Sequence, residues 1–243
     1  GVSGGAALGA TVAILFGFSG LTLIGATVVP FAAFVGGVLA TLFVYALTFG
    51  RAASGTSILL SGIIVNAIAS AAITFLKTIV SATKAQELLF WLMGFLDVPA
   101  PASLLFVSLY VALGAALLLR DAGRLNLLAL GDEAAAHLGV DTRALERRTV
   151  LACSCVVGAV VSVTGLIGFV GLLVPHVLRR LFGPDLRVLL PACLLAGGGT
   201  LVLCDLVGRV LFRWLHTEPP VGAVTALVGG PVFLFVLRRQ PAS

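Results

Sequence analysis

The stretch GLIGFVGLLVPHVLRRLFGPDLRVLLP, residues 165–191, is an apolar run that ends in two arginines. Its glycines at 165, 168 and 171 are expected to leave one helical face bare, so that another backbone can approach closely. Pro175 removes a backbone donor and is expected to kink the helix. Arg179 and Arg180 end the run as basic residues end a membrane span at its cytoplasmic side. The stretch therefore predicts a transmembrane helix within a packed helical bundle.

His176 lies inside this apolar run. A lone intramembrane histidine can be a proton relay or a ligand, but it more often donates a hydrogen bond to a backbone carbonyl. No Asp, Glu or second His stands three or four residues away. A metal site at His176 is therefore not expected.

The whole chain has the same character as this stretch. Of its 243 residues, 60% are hydrophobic and only 10% are charged, and the mean hydropathy is +1.17. A soluble domain has about 25% charged residues, so the composition indicates a polytopic membrane protein. The net charge of +5 is expected from basic residues that flank spans, and it does not indicate nucleic-acid binding. The four cysteines lie in apolar segments without CxxC spacing and are expected to be small buried hydrophobes.

Continuous apolar runs predict an all-α, polytopic transmembrane bundle of about eight spans. The pair 149–165 and 167–182 is open to a second interpretation, as one interrupted hairpin, because glycines break it. The segment 86–96, QELLFWLMGFL, is too short to span and suits either an interfacial or re-entrant helix or a plain loop with aromatic anchors. The eight predicted runs are 2–20, 24–49, 58–80, 102–119, 149–165, 167–182, 188–212 and 221–237.

Basic residues in alternate loops predict the orientation. Four lie on one side: Lys77, Lys84, Arg209 and Arg213. Eleven lie on the other: Arg51, Arg120, Arg124, Arg143, Arg147, Arg148, Arg179, Arg180, Arg187, Arg238 and Arg239. The second side is expected to be cytoplasmic. The loop 125–148 and the C-terminus are therefore predicted to be cytoplasmic, and the connections near 81–101 and 213–220 are predicted to lie outside.

The cytoplasmic loop contains a short helix signal, GDEAAAHLG, residues 131–139. Asp132 and Glu133 complement the dipole at a helix start, and Gly139 suits a C-terminal cap. A helix of about two turns is not stable alone, so it must pack on something. Its apolar residues, Ala134, Ala135 and Leu138, are expected to form one side. That side either lies on its own bundle or is offered to a cytoplasmic partner.

Several long segments resemble the FecCD-type permease subunits of bacterial ABC importers for iron chelates, haem and cobalamin. The segments are GLIGFVGLLVPHVLRRLFGPDLRVLLPACLLAGG, DLVGR and PPVGAVTALVGGPVFLFVLRR; LNLLALGDEAAAHLG and GVSGGAALGA fit the same family. The resemblance covers nearly the whole chain. It implies one transmembrane permease domain over 1–243, with 125–148 as its cytoplasmic coupling loop. Family members have ten spans, and this chain is expected to begin at the third and thus to be N-terminally incomplete.

The resemblance implies roles for three groups of residues. Thr56 and Ser57 match a cytoplasmic gate, although either hydroxyl also suits an N-cap for a helix that starts near Ile58. Arg209 matches a docking arginine for a binding protein, although Asp205, four residues earlier, also suits an intrahelical ion pair; Arg213 and Lys84 are weaker docking candidates. The loop residues implied to dock in the ATPase are Leu130, Gly131, Asp132, Glu133, Ala134, Ala135, Leu138 and Gly139, and a bulky residue at Ala135 is expected to uncouple hydrolysis from transport.

The same resemblance implies the partners. They are two copies of an ATPase subunit, a second permease copy as a homodimer, a periplasmic or lipid-anchored binding protein, and membrane lipid. The expected location is the bacterial inner membrane. No GxxxxGK[ST] phosphate loop occurs in the sequence, so the chain is not expected to be an enzyme, and no cofactor or metal is implied. The resemblance also implies that the substrate is an iron chelate, haem or cobalamin.

Two other classes of membrane protein need polar residues within their spans. An ion-coupled secondary transporter carries polar or acidic residues near the midplane, for which Asn66 and Asp205 are the candidates. A membrane-embedded enzyme needs clustered polar residues within its spans, whereas His137, His176 and His216 lie in separate segments.

Overall fold

A computed structural model of the chain describes residues 1–18, 25–48, 55–96, 101–215 and 219–238. Some residues with predicted roles lie outside the described residues, namely Arg51, His216 and the chain end at 239–243. Of these, Arg51 and the chain end are predicted to be cytoplasmic. The described part is helical, as the apolar runs predict. Its ten helices are α1 (Val2–Leu15), α2 (Gly25–Thr48), α3 (Gly55–Ile79), α4 (Ala82–Met93), α5 (Pro101–Leu128), α6 (Asp132–His137), α7 (Thr142–Thr164), α8 (Val170–Phe182), α9 (Leu186–Leu215) and α10 (Val221–Arg238).

Five of these helices are long and apolar enough to cross a membrane: α2, α3, α5, α7 and α9. They correspond to five of the eight predicted runs. The other three runs form helices of 14, 13 and 18 residues, namely α1, α8 and α10. At 1.5 Å per residue α8 is about 20 Å long, shorter than a hydrocarbon core of about 30 Å.

The loop between α5 and α7 is narrower than predicted. Helix α5 continues to Leu128 and α7 begins at Thr142, so the connection is 129–141 rather than 125–148. Leu125, Leu127 and Leu128 are good helix formers, and they extend α5 beyond its apolar part. Helix α5 starts at Pro101, whose fixed φ suits the first helical position.

Contacts among the described residues group into two compact units. One unit contains Gly1–Leu92, Asp97–Gly114 and Thr149–Leu166. The other contains Met93–Leu96, Ala115–Arg148 and Ile167–Ser243.

In the first unit, α1 and α2 pack with their backbones in contact. A Cβ on Gly5 would lie 2.5 Å from the carbonyl oxygen of Gly36, and a Cβ on Gly9 would lie 2.9 Å from the carbonyl carbon of Ala32. Gly5 and Gly9 are one turn apart on α1, and Ala32 and Gly36 are one turn apart on α2. This is the small-xxx-small pairing that lets membrane helices approach closely.

Helix α4 packs on this pair. The segment 86–96 was predicted to be either a short helix or a loop, and it is helical up to Met93. Leu88 is buried with Ala13 and Ile14 of α1 and Val29 of α2. Lys84, which the sequence suggested as a weak docking candidate, is half-buried and donates from Nζ to the carbonyl oxygen of Leu15 at 2.8 Å. It therefore caps the end of α1, where a cation and a donor are both favourable.

In the second unit, Gly168 and Gly171 lie against open space, and no described part of the chain makes the close approach that a bare face allows. A Cβ at either residue would have no described atom within 4 Å, apart from its chain neighbours and the backbone of its own helix. The helical path breaks between Thr164 and Val170 instead. Gly165 has φ 68°, and this conformation ends the regular helix at a residue that tolerates it.

Phe169 holds the end of this break in an uncommon conformation. Its φ is 66°, and the Val170 N–H donates to the Gly168 carbonyl oxygen at 2.9 Å, which forms a γ-turn with positive φ, a rare and strained turn. A Cβ on Gly229 of α10 would lie 2.7 Å from the Phe169 Cβ. Glycine at 229 thus makes room for the strained residue.

Replacing Gly9 by alanine is expected to destabilise the protein by about 1–3 kcal/mol, because the added methyl meets backbone that cannot move aside. Gly37→Ala is the matched control on α2. Its Cβ would lie 3.3 Å from the Cγ1 of Val2 and 3.4 Å from the Val2 carbonyl oxygen, which is close to ordinary van der Waals contact and much looser than the contacts at Gly9. The measurement is the unfolding midpoint of the purified protein in mixed detergent micelles. Equal midpoints for the two variants would show that the backbone contact contributes little.

Candidate functional site

Helix α6 is a six-residue helix closed by backbone caps at both ends. Gly131 precedes it with φ 109°, and Asp132 and Glu133 occupy its first turn. At its end the Gly139 N–H donates to the Ala136 carbonyl and the Val140 N–H donates to the Ala135 carbonyl, both at 3.0 Å. Gly139 has φ 82°. This pair of bonds is a Schellman motif and confirms Gly139 as the C-terminal cap.

The apolar residues of α6 do not share one environment. Ala135 is 0% exposed, Ala134 is half-buried, and Leu138 is 59% exposed. Leu130, just before the helix, is 67% exposed. Ala135 thus seats α6 on its own chain, whereas Leu130 and Leu138 face outward, and contact with a partner stays a prediction for these two leucines. A bulky residue at Ala135 would displace α6 itself.

A small cavity lies beside the C-terminal cap of α6. It measures about 180 Å³ and is lined by Arg124, Gly139, Val140, Asp141, Leu145 and Arg148. Asp141 caps α7, because its Oδ1 accepts the Ala144 N–H at 3.0 Å. Arg124 pairs with Asp121 at 3.1 Å. The lining thus carries the guanidinium groups of Arg124 and Arg148 and one carboxylate, and because Asp121 pairs with Arg124 the cavity carries little net charge.

Thr56 and Ser57 both lie in the first turn of α3 and are exposed. Helix α3 is already helical at Gly55, so the alternative in which either hydroxyl caps a helix starting near Ile58 is wrong. At 3.6 residues per turn, Thr56 shares one face of α3 with Asn66, Ser70 and Thr74. All of these polar residues are exposed. The polar face of α3 was not predicted from the sequence, although the helical spacing of its polar residues indicates it.

Arg209 forms the intrahelical ion pair that its spacing suggested. Its Nε donates to Asp205 Oδ2 at 2.8 Å within α9. The guanidinium is more than half exposed and the carboxylate about a quarter exposed. The pair does not test the docking role, but it shows that Asp205 orients the Arg209 side chain.

A polar junction between α5 and α9 was not found from the sequence. Asn126, in the last turn of α5, donates from Nδ2 to Asp185 Oδ1 at 2.6 Å, and its Oδ1 accepts the Leu186 N–H at 2.9 Å. Asp185 Oδ1 also accepts the Arg187 N–H at 2.9 Å, so Asp185 is the N-cap of α9. An aspartate that follows Gly-Pro and precedes an apolar run is typical of an N-cap, so this role of Asp185 was predictable. No pattern in the sequence indicates that Asp185 pairs with Asn126.

These bonds favour the charged form of Asp185. The hydrogen bond from the Arg187 backbone lowers the pKa of the Asp185 carboxyl, and the bond from the Asn126 side chain lowers it further. A lowered folded-state pKa means that the carboxylate stabilises the fold above the ordinary aspartate range. The contribution is lost as the pH falls through the folded value.

Within the described residues, no three residues of His, Cys, Asp or Glu come together in a way that could hold a metal ion. The four cysteines are free thiols, and Cys153 is exposed from its own chain rather than buried as expected.

The structure thus defines a polytopic helical membrane protein with a short, capped helix between two of its spans. Residues 1–239 match the model of the FecCD transport family. The chain belongs to this family, as the sequence segments suggested.

Two curated relatives span nearly the whole chain. The cobalamin import system permease BtuC of Halobacterium salinarum is 41% identical over 99% of this chain and 63% of its own length. The hemin transport system permease HmuU of Yersinia pestis is 37% identical over 99% of this chain and 71% of its own length. The chain therefore spans about two thirds of the length of these relatives.

A solved structure has the same fold. It is an inward-facing conformation of a metal-chelate type ABC transporter, with a TM-score of 0.88 and 32% identity over 99% of this chain and 74% of the other. The prediction of an all-α polytopic bundle is confirmed.

Replacing Gly139 by alanine is expected to loosen the end of α6. A non-glycine residue at this φ costs about 1–2 kcal/mol, so amide exchange over 131–141 should rise roughly 5- to 30-fold. Gly171→Ala in α8 is the control, because Gly171 is helical and its Cβ would meet open space. Hydrogen–deuterium exchange with mass spectrometry gives the measurement. Unchanged protection in the Gly139 variant would contradict the role of this cap.

Proposed function

We propose that the chain is the permease subunit of an ABC importer that moves an iron chelate, haem or cobalamin into the cytoplasm. ATP is hydrolysed by a separate subunit. The observation that carries the proposal is α6, a helix anchored to its own chain by Ala135 that presents Leu130 and Leu138 outward. In a transporter driven by a separate ATPase subunit, exposed leucines on an anchored helix suit an apolar groove of that subunit.

The proposed assembly has two permease copies, two ATPase subunits and a periplasmic or lipid-anchored binding protein in the bacterial inner membrane. Residues 1–243 form one permease domain whose C-terminus is cytoplasmic. Arg209, oriented by Asp205, is proposed to meet the binding protein. The ATPase contact is proposed to consist of Leu130, Gly131, Asp132, Glu133, Ala134, Leu138 and Gly139, with Ala135 as its inner support.

The pathway is proposed to follow the polar face of α3. Polar residues within a span face a bundle interior or a water-filled cavity, and Asn66, Ser70 and Thr74 are exposed from their own chain. Thr56 lies on the same face, with Ser57 beside it, which supports both as the cytoplasmic gate. Ion coupling, the alternative, has less support because Asp205 is already paired with Arg209.

Uptake into vesicles tests the proposal. The complete transporter is reconstituted with its ATPase, and the accumulation of haemin, cyanocobalamin and a ferric hydroxamate is measured with ATP and its binding protein. ATP-dependent uptake of one of them is expected. Uptake driven by an ion gradient without the ATPase would refute the proposal.

Leu138→Glu is expected to lower ATP-driven uptake at least about five-fold, because it puts a charge into an apolar contact that must be desolvated. Since Leu138 is exposed from its own chain, the unfolding midpoint of the isolated subunit should hardly change. Leu138→Met, which conserves volume and apolarity, is the matched control. The readouts are uptake and copurification of the ATPase; wild-type values for Leu138→Glu would exclude Leu138 from the contact.

A further inference from the structure

The last turn of α5, which leads through residues 129–131 into α6, is tied to the start of α9 by side-chain hydrogen bonds. Asn126 lies two residues before the end of α5 and six residues before Asp132, the first residue of α6. Its amide donates to the cap residue Asp185 and accepts from the first amide of α9. We propose that Asn126 is a positioning residue, which couples movement of α6 to α9 through an Asn126–Asp185 clamp.

The clamp uses the polar atoms of Asn126 in both directions. Nδ2 donates and Oδ1 accepts, so the two bonds define the orientation of the amide. Asp185 Oδ1 receives two donors, the Asn126 side chain and the Arg187 backbone. Beside these bonds, the Arg187 guanidinium lies across Gly123 of α5, where a Cβ would be 2.8 Å from its terminal nitrogen. Two positions one turn apart on α5 thus hold the first turn of α9.

Helix α9 continues for a long distance from this contact. Its 30 residues correspond to about 45 Å, and Arg209 lies about 35 Å from the clamp along the helix. The helix is continuous past Pro191. In the proposed importer, one end of α9 is therefore held at the base of the ATPase contact, and its far part carries the Asp205–Arg209 pair. This inference rests on the proposed function.

An exchange of the two polar residues isolates the clamp from other roles. In Asn126→Asp, a carboxylate replaces the donor and faces Asp185 at a separation of 2.6 Å in the wild type, so the bond is replaced by repulsion. Adding Asp185→Asn removes the repulsion, and the new amide nitrogen can donate to the aspartate at 126. Because Asp185 Oδ1 accepts from both Asn126 and Arg187 in the wild type, turning the amide nitrogen toward position 126 gives up the bond from Arg187. Asp185→Asn alone keeps an acceptor for both donors.

The experiment compares wild type, N126D, D185N and N126D/D185N in vesicles that contain the complete transporter. Uptake of haemin, cyanocobalamin and a ferric hydroxamate is measured together with ATP hydrolysis, as molecules moved per ATP consumed. N126D is expected to lower this ratio at least about five-fold while it continues to hydrolyse ATP. The double exchange is expected to raise the ratio above that of N126D without reaching the wild-type value, and D185N is expected to stay within about two-fold of wild type. A role in folding alone would lower hydrolysis and uptake together and leave their ratio unchanged.

Three results overturn the clamp although the wild type transports: an unchanged ratio in N126D, a low ratio that the double exchange does not raise, and a proportional loss of hydrolysis and uptake. Wild-type vesicles that accumulate none of the three probes on addition of ATP overturn the proposed function, and the coupling role of Asn126 falls with it. The two failures are therefore distinguished by the wild-type measurement.

Discussion

Helices α1 and α2 touch through backbone atoms rather than through long side chains. In a bilayer, lipid tails are as apolar as leucine, so helices gain little from the hydrophobic effect when they associate and depend on close packing. The contact of Gly5 with Gly36 brings the helices near enough for α4 to place Leu88 against both. Buried hydroxyls find their partners within their own helix, since Thr11 and Thr41 each donate to a carbonyl four residues earlier. Polar groups are thus satisfied locally, and the surfaces between helices are left for packing.

Helix α6 obtains its order from its ends. Six residues are too few for a helix that is stable alone, so its conformation depends on the turns at Gly131 and Gly139 and on the burial of Ala135. Anchored in this way, the helix can present leucines to a partner without adapting its backbone. A contact that must pass on movement benefits from such rigidity, because a flexible element would absorb the displacement.

Local patterns predicted what depends on neighbouring residues. Apolar length identified α2, α3, α5, α7 and α9; the caps of α6 and the Asp205–Arg209 pair followed from spacing along one helix. Pairings between distant segments were not predictable, because no local pattern says which helix will meet another. The clamp joins residues 59 positions apart, and Lys84 reaches the end of α1 across 69. The polar face of α3 lies between these cases, since its spacing was visible but its exposure depends on tertiary packing.

Phe169 and Gly229 form a unit whose members constrain each other. The strained turn brings the Phe169 Cβ so close to α10 that a side chain at 229 has no room, while a glycine at 169 would adopt the same φ without strain. This constraint predicts which residues relatives carry at the two positions. Relatives with a bulky residue at position 169 in this turn should keep glycine at 229, and larger residues at 229 should occur together with glycine at 169. The two positions, 60 residues apart, should therefore change as a pair.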